Sequence, residues 1–429
     1  MRTQRTMRAT LGFLLLFFLS GWISFSKTDF LDFLSILADA QGLQEVSPRM
    51  IFLKSSLDEK RLVSAHTQLG FQLFSTLAKG NQEQNIFISP TSVALTLSML
   101  YNGATGDTKQ EIAQVLGIQG VEIDALNRAN QGLESHLNLE NPQSPLIVAN
   151  SLWARQGFTF RYQFLKNNRD YYNDQITNLN FASGEASGII NRWVTENTQG
   201  KIKNIINQIQ ADDVLFLINT AYFQGTLQVG FDQKLTTEKS FHLSRNVSKL
   251  YPFMSRQGTY SYFENSQFQG IKLPYGDGNL SFSLLLPKKT DQLSQVFQDL
   301  TLKKWQKLSS KFRKTSGLLQ LPRFTLNYEV DLTKSLQSLG LSTMFNPSQA
   351  GFSKLTSHSA YINSIKHQAL LEFNEKGKQV PSVKSMNLKV ASIISSPPQF
   401  TMIVDRPFFC LIQDDNTGAI LFMGSIFEP

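Results

Sequence analysis

The hydrophobic pattern of the chain changes period partway along, and that change limits the fold more than any other feature. LVSAHTQLGFQLFSTLAK (residues 62–79) and PTSVALTLSMLYNGA (90–104) place apolar residues three and four apart, the spacing of one helix face. Later runs are short, apolar or alternating, and bounded by Gly, Pro, Asp or Asn: DVLFLINTAYFQ (213–224), GIKLPY (270–275), LSFSLLLP (280–287), GLLQLPRFTLNY (317–328), QALLEFN (368–374), PQFTMIV (398–404), RPFFCLI (406–412) and AILFMGSIF (419–427). Helices gathered early and strands gathered late predict an α+β fold with large, mainly antiparallel sheets. The chain has 429 residues, 41% of them hydrophobic, enough to bury a large core.

One stretch resists this division. EKGKQVPSVKSMNLKVASIISSPP (375–398) carries five Val and Ile residues, which favour extended backbone, but also four Lys, Pro381 and Pro397-Pro398. A central strand accepts no such prolines, so the segment reads as a long loop, and long loops inside compact domains are usually functional.

Other functional classes find little support. Cys410 is the only cysteine, so no intramolecular disulfide or multi-cysteine metal site forms, and its place within PFFCLI makes it a core residue. The five histidines (His66, His136, His242, His358, His367) show no HExxH or paired metal spacing, and no GxSxG, P-loop or GxGxxG occurs. The expectation is therefore no enzyme activity, no metal and no cofactor. The basic balance, 41 Lys plus Arg against 33 Asp plus Glu, comes without an aromatic nucleic-acid motif, and nucleic acid is not an expected partner.

The N-terminus reads apart from the rest. Arg2, Arg5 and Arg8 precede the apolar LGFLLLFFLSGWISF, and Ala38-Asp39-Ala40 has the small-x-small form of a cleavage site. Residues 1–40 read as a secretory signal peptide or an uncleaved N-terminal anchor, 41–60 as an extension and 61–429 as one domain. The protein is expected to be secreted or extracytoplasmic and monomeric.

NIFISPTSVALTLSMLYNGATGDTKQEIAQVLGI (85–118) resembles the signature of the serpin family. Further blocks are similar in the family's order: NSLWARQGF (150–158), INRWVTENTQGKI (190–202), LINTAYFQG (217–225), IKLPYGDGNLSFSLLLP (271–287), LPRFTLNYEVDLTKSLQSLGLSTMF (321–345) and RPFFCLIQDDNTGAILFMGSIFEP (406–429). The resemblance implies the serpin fold and makes the segment after His367, Glu372, Asn374, Glu375 and Gly377 a reactive-centre loop, held out as bait for a protease. In the family, cleavage lets the loop enter the main sheet as a strand while the protease is still acyl-linked, which traps it.

The resemblance also implies a polar switch cluster of Ser89, Ser92, Asn219 and His367 where central strands part, and an Arg323–Glu375 pair closing the sheet top. Read from the residues alone, Ser89 and Ser92 cap a helix beginning at Pro90 and His367 is a satisfied core histidine. Leu227 stands where the family usually has Trp. The loop hinge, Glu375, Gly377, Lys378, Val380, Pro381, Ser382 and Lys384, departs further, since inhibitory members carry small residues there. If Lys378 turns inward on insertion, Val380, Ser382, Lys384 and Met386 follow on the same face, and two ammonium groups go under the sheet.

Two functions follow from this reading. The first is a suicide inhibitor of serine endopeptidases, or of cysteine ones. The second is a non-inhibitory member that binds a partner or serves as a protease substrate. By the spacing usual in the family, the resemblance implies a reactive bond near Ala391-Ser392 counted from Glu375, or near Ile394-Ser395 counted back from Pro397-Pro398, both suiting an apolar-preferring protease. Lys303, Lys304, Lys307, Lys311, Arg313 and Lys314 form a basic run that fits a polyanion or a solvated face.

Overall fold

The computed structural model describes residues 57–80, 83–140, 146–172, 175–244, 246–290, 293, 300–379 and 397–429. The N-terminal segment and most of the predicted loop, including Val380, Pro381, Ser382, Lys384, Ala391, Ser392, Ile394 and Ser395, lie outside them. No helix among the described residues is long and apolar enough to cross a membrane.

The first half holds α1 (Leu57–Gly80), β1 (Ile86–Ile88), α2 (Pro90–Tyr101), α3 (Gly106–Val115), α4 (Ile123–Glu140), β2 (Leu146–Arg155), α5 (Tyr162–Tyr172), β3 (Gln175–Leu179), α6 (Ala186–Asn197) and β4 (Leu215–Phe223). Strands then dominate: β5 (Leu227–Val229), β6 (Thr237–His242), β7 (Ser248–Glu264), β8 (Phe268–Tyr275) and β9 (Leu280–Pro287). After α7 (Leu302–Ser309) come β10 (Arg313–Pro322), β11 (Phe324–Asp331), α8 (Thr333–Ser338), β12 (Ser364–Phe373), β13 (Gly377–Gln379), β14 (Phe400–Ile403), β15 (Phe408–Asp414) and β16 (Ile420–Ile426).

The strands form an eleven-stranded sheet and a five-stranded sheet ordered β11-β12-β4-β2-β3. Most pairings are antiparallel, as the period-2 runs suggest. In the smaller sheet β12 and β4 run parallel, in register from Ser364↔Phe216 to Leu371↔Phe223.

β4 is buried along its whole length, because both of its faces are covered. Phe216, Ile218 and Tyr222 pack under α6 with Ile190, Val194 and Trp153. Leu215 and Leu217 alternate to the other face, where α2 lies. α2 is buried on every side, and its hydroxyls, Thr91, Ser92, Thr96 and Ser98, are buried with it and hydrogen-bonded inside the fold. Its start is fixed by Ser89, whose Oγ accepts from Ser92 N, and by Pro90, whose missing N–H costs nothing at a first-turn position. Cys410 is buried in β15, where desolvation pushes its thiol pKa up and keeps it unreactive.

The far end of the predicted loop is anchored by β14, which pairs in parallel with β10 from Gly317↔Phe400 to Gln320↔Ile403. The Phe400 ring stacks on Tyr262 with 3.7 Å between centroids.

Candidate functional site

Strand register places three polar side chains in one row across the smaller sheet. Asn150 on β2 lies opposite Asn219 on β4, and Asn219 lies opposite His367 on β12. Alternation along β4 sends Asn219 to the face with Leu215 and Leu217, which is the face that meets the first turn of α2.

There the row joins the hydroxyls of α2. Ser89 N–H donates to His367 Nε2 at 3.2 Å. That bond leaves Nε2 without a proton, so Nδ1 carries it and donates to Asn219 Oδ1. The Asn219 amide nitrogen faces four acceptors: Ser92 O at 3.3 Å, Ser92 Oγ, Thr96 Oγ1 at 2.9 Å and Asn150 Oδ1. Two amide hydrogens serve these four in turn, which suits a cluster with more than one bonding arrangement. Burial holds His367 down to about 3, and the neutral ring is what Ser89 N–H requires.

Ser89, Ser92, Asn219 and His367 thus stand together, and Ser89 is at once the cap of α2 and a member of the cluster. Thr96 and Asn150 belong to it as well. Sequence reasoning passed over both, although Asn150 opens the block NSLWARQGF.

At the top of the β12–β4 seam the chain leaves the sheet. Glu375 is buried, and its Oε1 lies 3.5 Å from Arg323 Nη1 and accepts from Thr236 Oγ1 at 3.0 Å. A polar recess of about 350 Å³ opens beside this pair, lined by Gln233, Thr236, Thr237, Glu238, Pro252, Arg323 and Glu375. Leu227, in the family's Trp position, is buried at the start of β5, and its N–H donates to Lys376 O at 3.1 Å. Gly377 and Lys378 continue as β13, with Lys378 ion-paired to Asp277 in the β8–β9 turn.

The basic run sits on a different part of the surface. Lys303, Lys304 and Lys307 are exposed on α7, and Lys311, Arg313 and Lys314 are exposed at and just before the start of β10.

Comparison with known proteins agrees with this architecture. The family model "Serpin (serine protease inhibitor)" matches residues 64–429. Glia-derived nexin of Mus musculus is 30% identical over 388 residues, covering 87% of this chain and 95% of that protein. Leukocyte elastase inhibitor of Bos taurus is 29% identical over 384 residues, covering 86% of this chain and all of the relative's length (100%). Among solved structures, native protease nexin-1 with heparin superposes with a TM-score of 0.79 at 27% identity, covering 86% of this chain and 100% of that one. With the family model spanning residues 64–429 and a relative 30% identical over most of both chains, the chain belongs to the serpin family.

Proposed function

We propose that the protein is a suicide inhibitor of endopeptidases, serine-type with an apolar preference, acting outside the cytoplasm, to which residues 1–40 direct it. The observation that carries this reading is the parallel β12–β4 seam. The chain leaves β12 at its top, so a segment turning back between β12 and β4 would run antiparallel to both. One parallel ladder would be exchanged for two antiparallel ones, and a solvated segment would gain backbone partners on each side. The row at the seam supports the reading too, because parting the strands separates His367 from Asn219 while the hydroxyls of Ser89, Ser92 and Thr96 stand ready as replacement partners.

In the chemistry this implies, the protease serine attacks the carbonyl carbon of the residue before the reactive bond, Ala391 or Ile394. The peptide C–N bond breaks and the new amino terminus at Ser392 or Ser395 leaves with a proton. Loop insertion then outruns hydrolysis of the acyl ester. Binding of a polyanion along Lys303, Lys304, Lys307, Lys311, Arg313 and Lys314 would add a second partner, a reading supported by the heparin held by the nexin-1 relative.

A second reading, a non-inhibitory binding protein or protease substrate, is favoured by the composition of the hinge. Lys378 is held outside the smaller sheet by Asp277, and Pro381 and Lys384 would be poor strand residues within it. Incubation with elastase-like and trypsin-like proteases separates the two on a denaturing gel. A covalent, denaturant-resistant complex is expected, with the C-terminal fragment beginning between residues 391 and 395 by mass spectrometry. Clean cleavage without a complex for every protease, or a cut after Lys389, overturns the proposal.

A further inference from the structure

Glu375 to Gln379 are not merely a tether leading into the loop. Gly377 lies opposite Leu227 and Gln379 opposite Val229, so β13 is a parallel addition to β5 at the margin of the larger sheet. Two further backbone bonds come from the β5 side: Leu227 N–H to Lys376 O at 3.1 Å and Phe231 N–H to Glu375 O at 3.0 Å.

Two glycines allow this docking. A Cβ on Gly230 would stand 2.5 Å from Glu375 O and 2.8 Å from Gly377 N, and one on Gly377 would meet the backbone of Gly230. Neither position takes a side chain without pushing the two segments apart. The β5 side is the fixed half. Arg256 donates to the carbonyl oxygens of Val229 and Gly230, and its guanidinium lies 5.0 Å from the Phe231 ring centroid and 4.9 Å from that of Tyr260. On the β13 side, Lys378 is fastened by its ion pair with Asp277, and Lys376 N–H is turned back onto Asn374 Oδ1 at 3.0 Å.

We propose that this docking is a clamp on loop insertion: the hinge is stored as a strand on the larger sheet, and it must peel from β5 before it can enter the smaller one. The inference rests on the insertion reading above and adds Gly230 and Asp277 to it as residues that set the rate. Neither lies in the loop or in the β12–β4 seam.

Hydrogen exchange of the intact protein at the Leu227 and Phe231 amides reads the clamp directly, before any protease is added. Gly230→Ala should speed exchange there by about 2–10-fold for each backbone bond lost. Asp277→Lys should speed it by about 2–5-fold, and the double swap Asp277→Lys with Lys378→Asp should restore protection if Gly230→Ala proves unstable as a test. Unchanged exchange in both Gly230→Ala and Asp277→Lys, or a double swap that exchanges as fast as Asp277→Lys alone, overturns the clamp. The second readout is the rate at which loop-cleaved protein gains heat resistance. Variants with faster exchange should gain it faster, and equal rates overturn the role of the docking as a brake. If exchange responds but no variant gains heat resistance, the docking stands and the insertion reading is what fails.

Discussion

Acidification tests the cluster at the seam with a sign and size that the structure supplies. His367 is buried and held neutral, its pKa lowered to about 3, while the unfolded chain protonates near the ordinary value of 6.5. Between these limits the unfolded state binds the extra proton, so stability falls as pH drops below about 6.5 and is unaffected by this group above it. Each unit costs about 1.4 kcal/mol, so lowering pH to 5 removes about 2 kcal/mol through His367 alone. His66 on α1 acts in the same sense. It is buried with neither ring nitrogen hydrogen-bonded among the described residues, and burial lowers it to about 4, which removes another ~2 kcal/mol at pH 5.

Urea unfolding at pH 7.5 and 5.0, on wild type, His367→Gln, His66→Leu and the double variant, isolates these contributions, because the carboxylates titrate alike in all four. Each substitution should shrink the acid loss by about 2 kcal/mol, and the double variant by about 4 kcal/mol. The His367 ring signal in a ¹³C-labelled sample should stay flat from pH 8 to 5. A His367 signal titrating near 6.5, or an acid loss as large in His367→Gln as in wild type, would refute the assignment of a neutral ring locked between Ser89 and Asn219.

Cleavage of the loop should raise the thermal midpoint modestly in the native sequence and clearly after Lys378→Thr, Pro381→Ala and Lys384→Thr are combined, read by calorimetry before and after limited proteolysis. No rise in the triple variant would place the obstacle at the sheet top around Leu227 instead of in the hinge. Retention on a heparin column should weaken steeply with salt and be largely lost when Lys303, Lys304 and Lys307 become Gln, whereas retention unchanged by those substitutions excludes the α7 surface.

The layers of this fold were legible where a repeating pattern met one buried face. α1 and α2 follow three- and four-residue spacing, and the eight late apolar runs became strands, with GLLQLPRFTLNY dividing into β10 and β11 around Arg323. The functional row was legible only in part. Asn219 and His367 could be named from the family's pattern, but Asn150 and Thr96 enter through the register of β2 on β4 and the pitch of α2. β13 was not legible. Gly-Lys-Gln carries no apolar alternation, and its partner lies far away in the sequence, where Gly230 reads as an ordinary turn residue until the backbone it touches is known. Thr236, the second partner of Glu375, was hidden for the same reason.

The placement of Lys378 divides its effect between rate and equilibrium. Outside the smaller sheet it holds Asp277, itself well exposed, and a surface ion pair of this kind contributes no more than about 1 kcal/mol. Beneath the sheet the same ammonium group would lose its water and its partner, at several kcal/mol unless the side chain reaches back to solvent. The burial cost is therefore the larger quantity, and it weighs on the inserted state. The ion pair is the smaller one, and it weighs on leaving the starting state. Removing Asp277 raises the docked state alone, so it speeds departure and moves the equilibrium toward insertion by no more than the same ~1 kcal/mol. Changing Lys378 does this and also removes the larger burial cost from the inserted state. The residue that looked from the sequence like a defect in the hinge is, in this structure, also the fastening that keeps the hinge out.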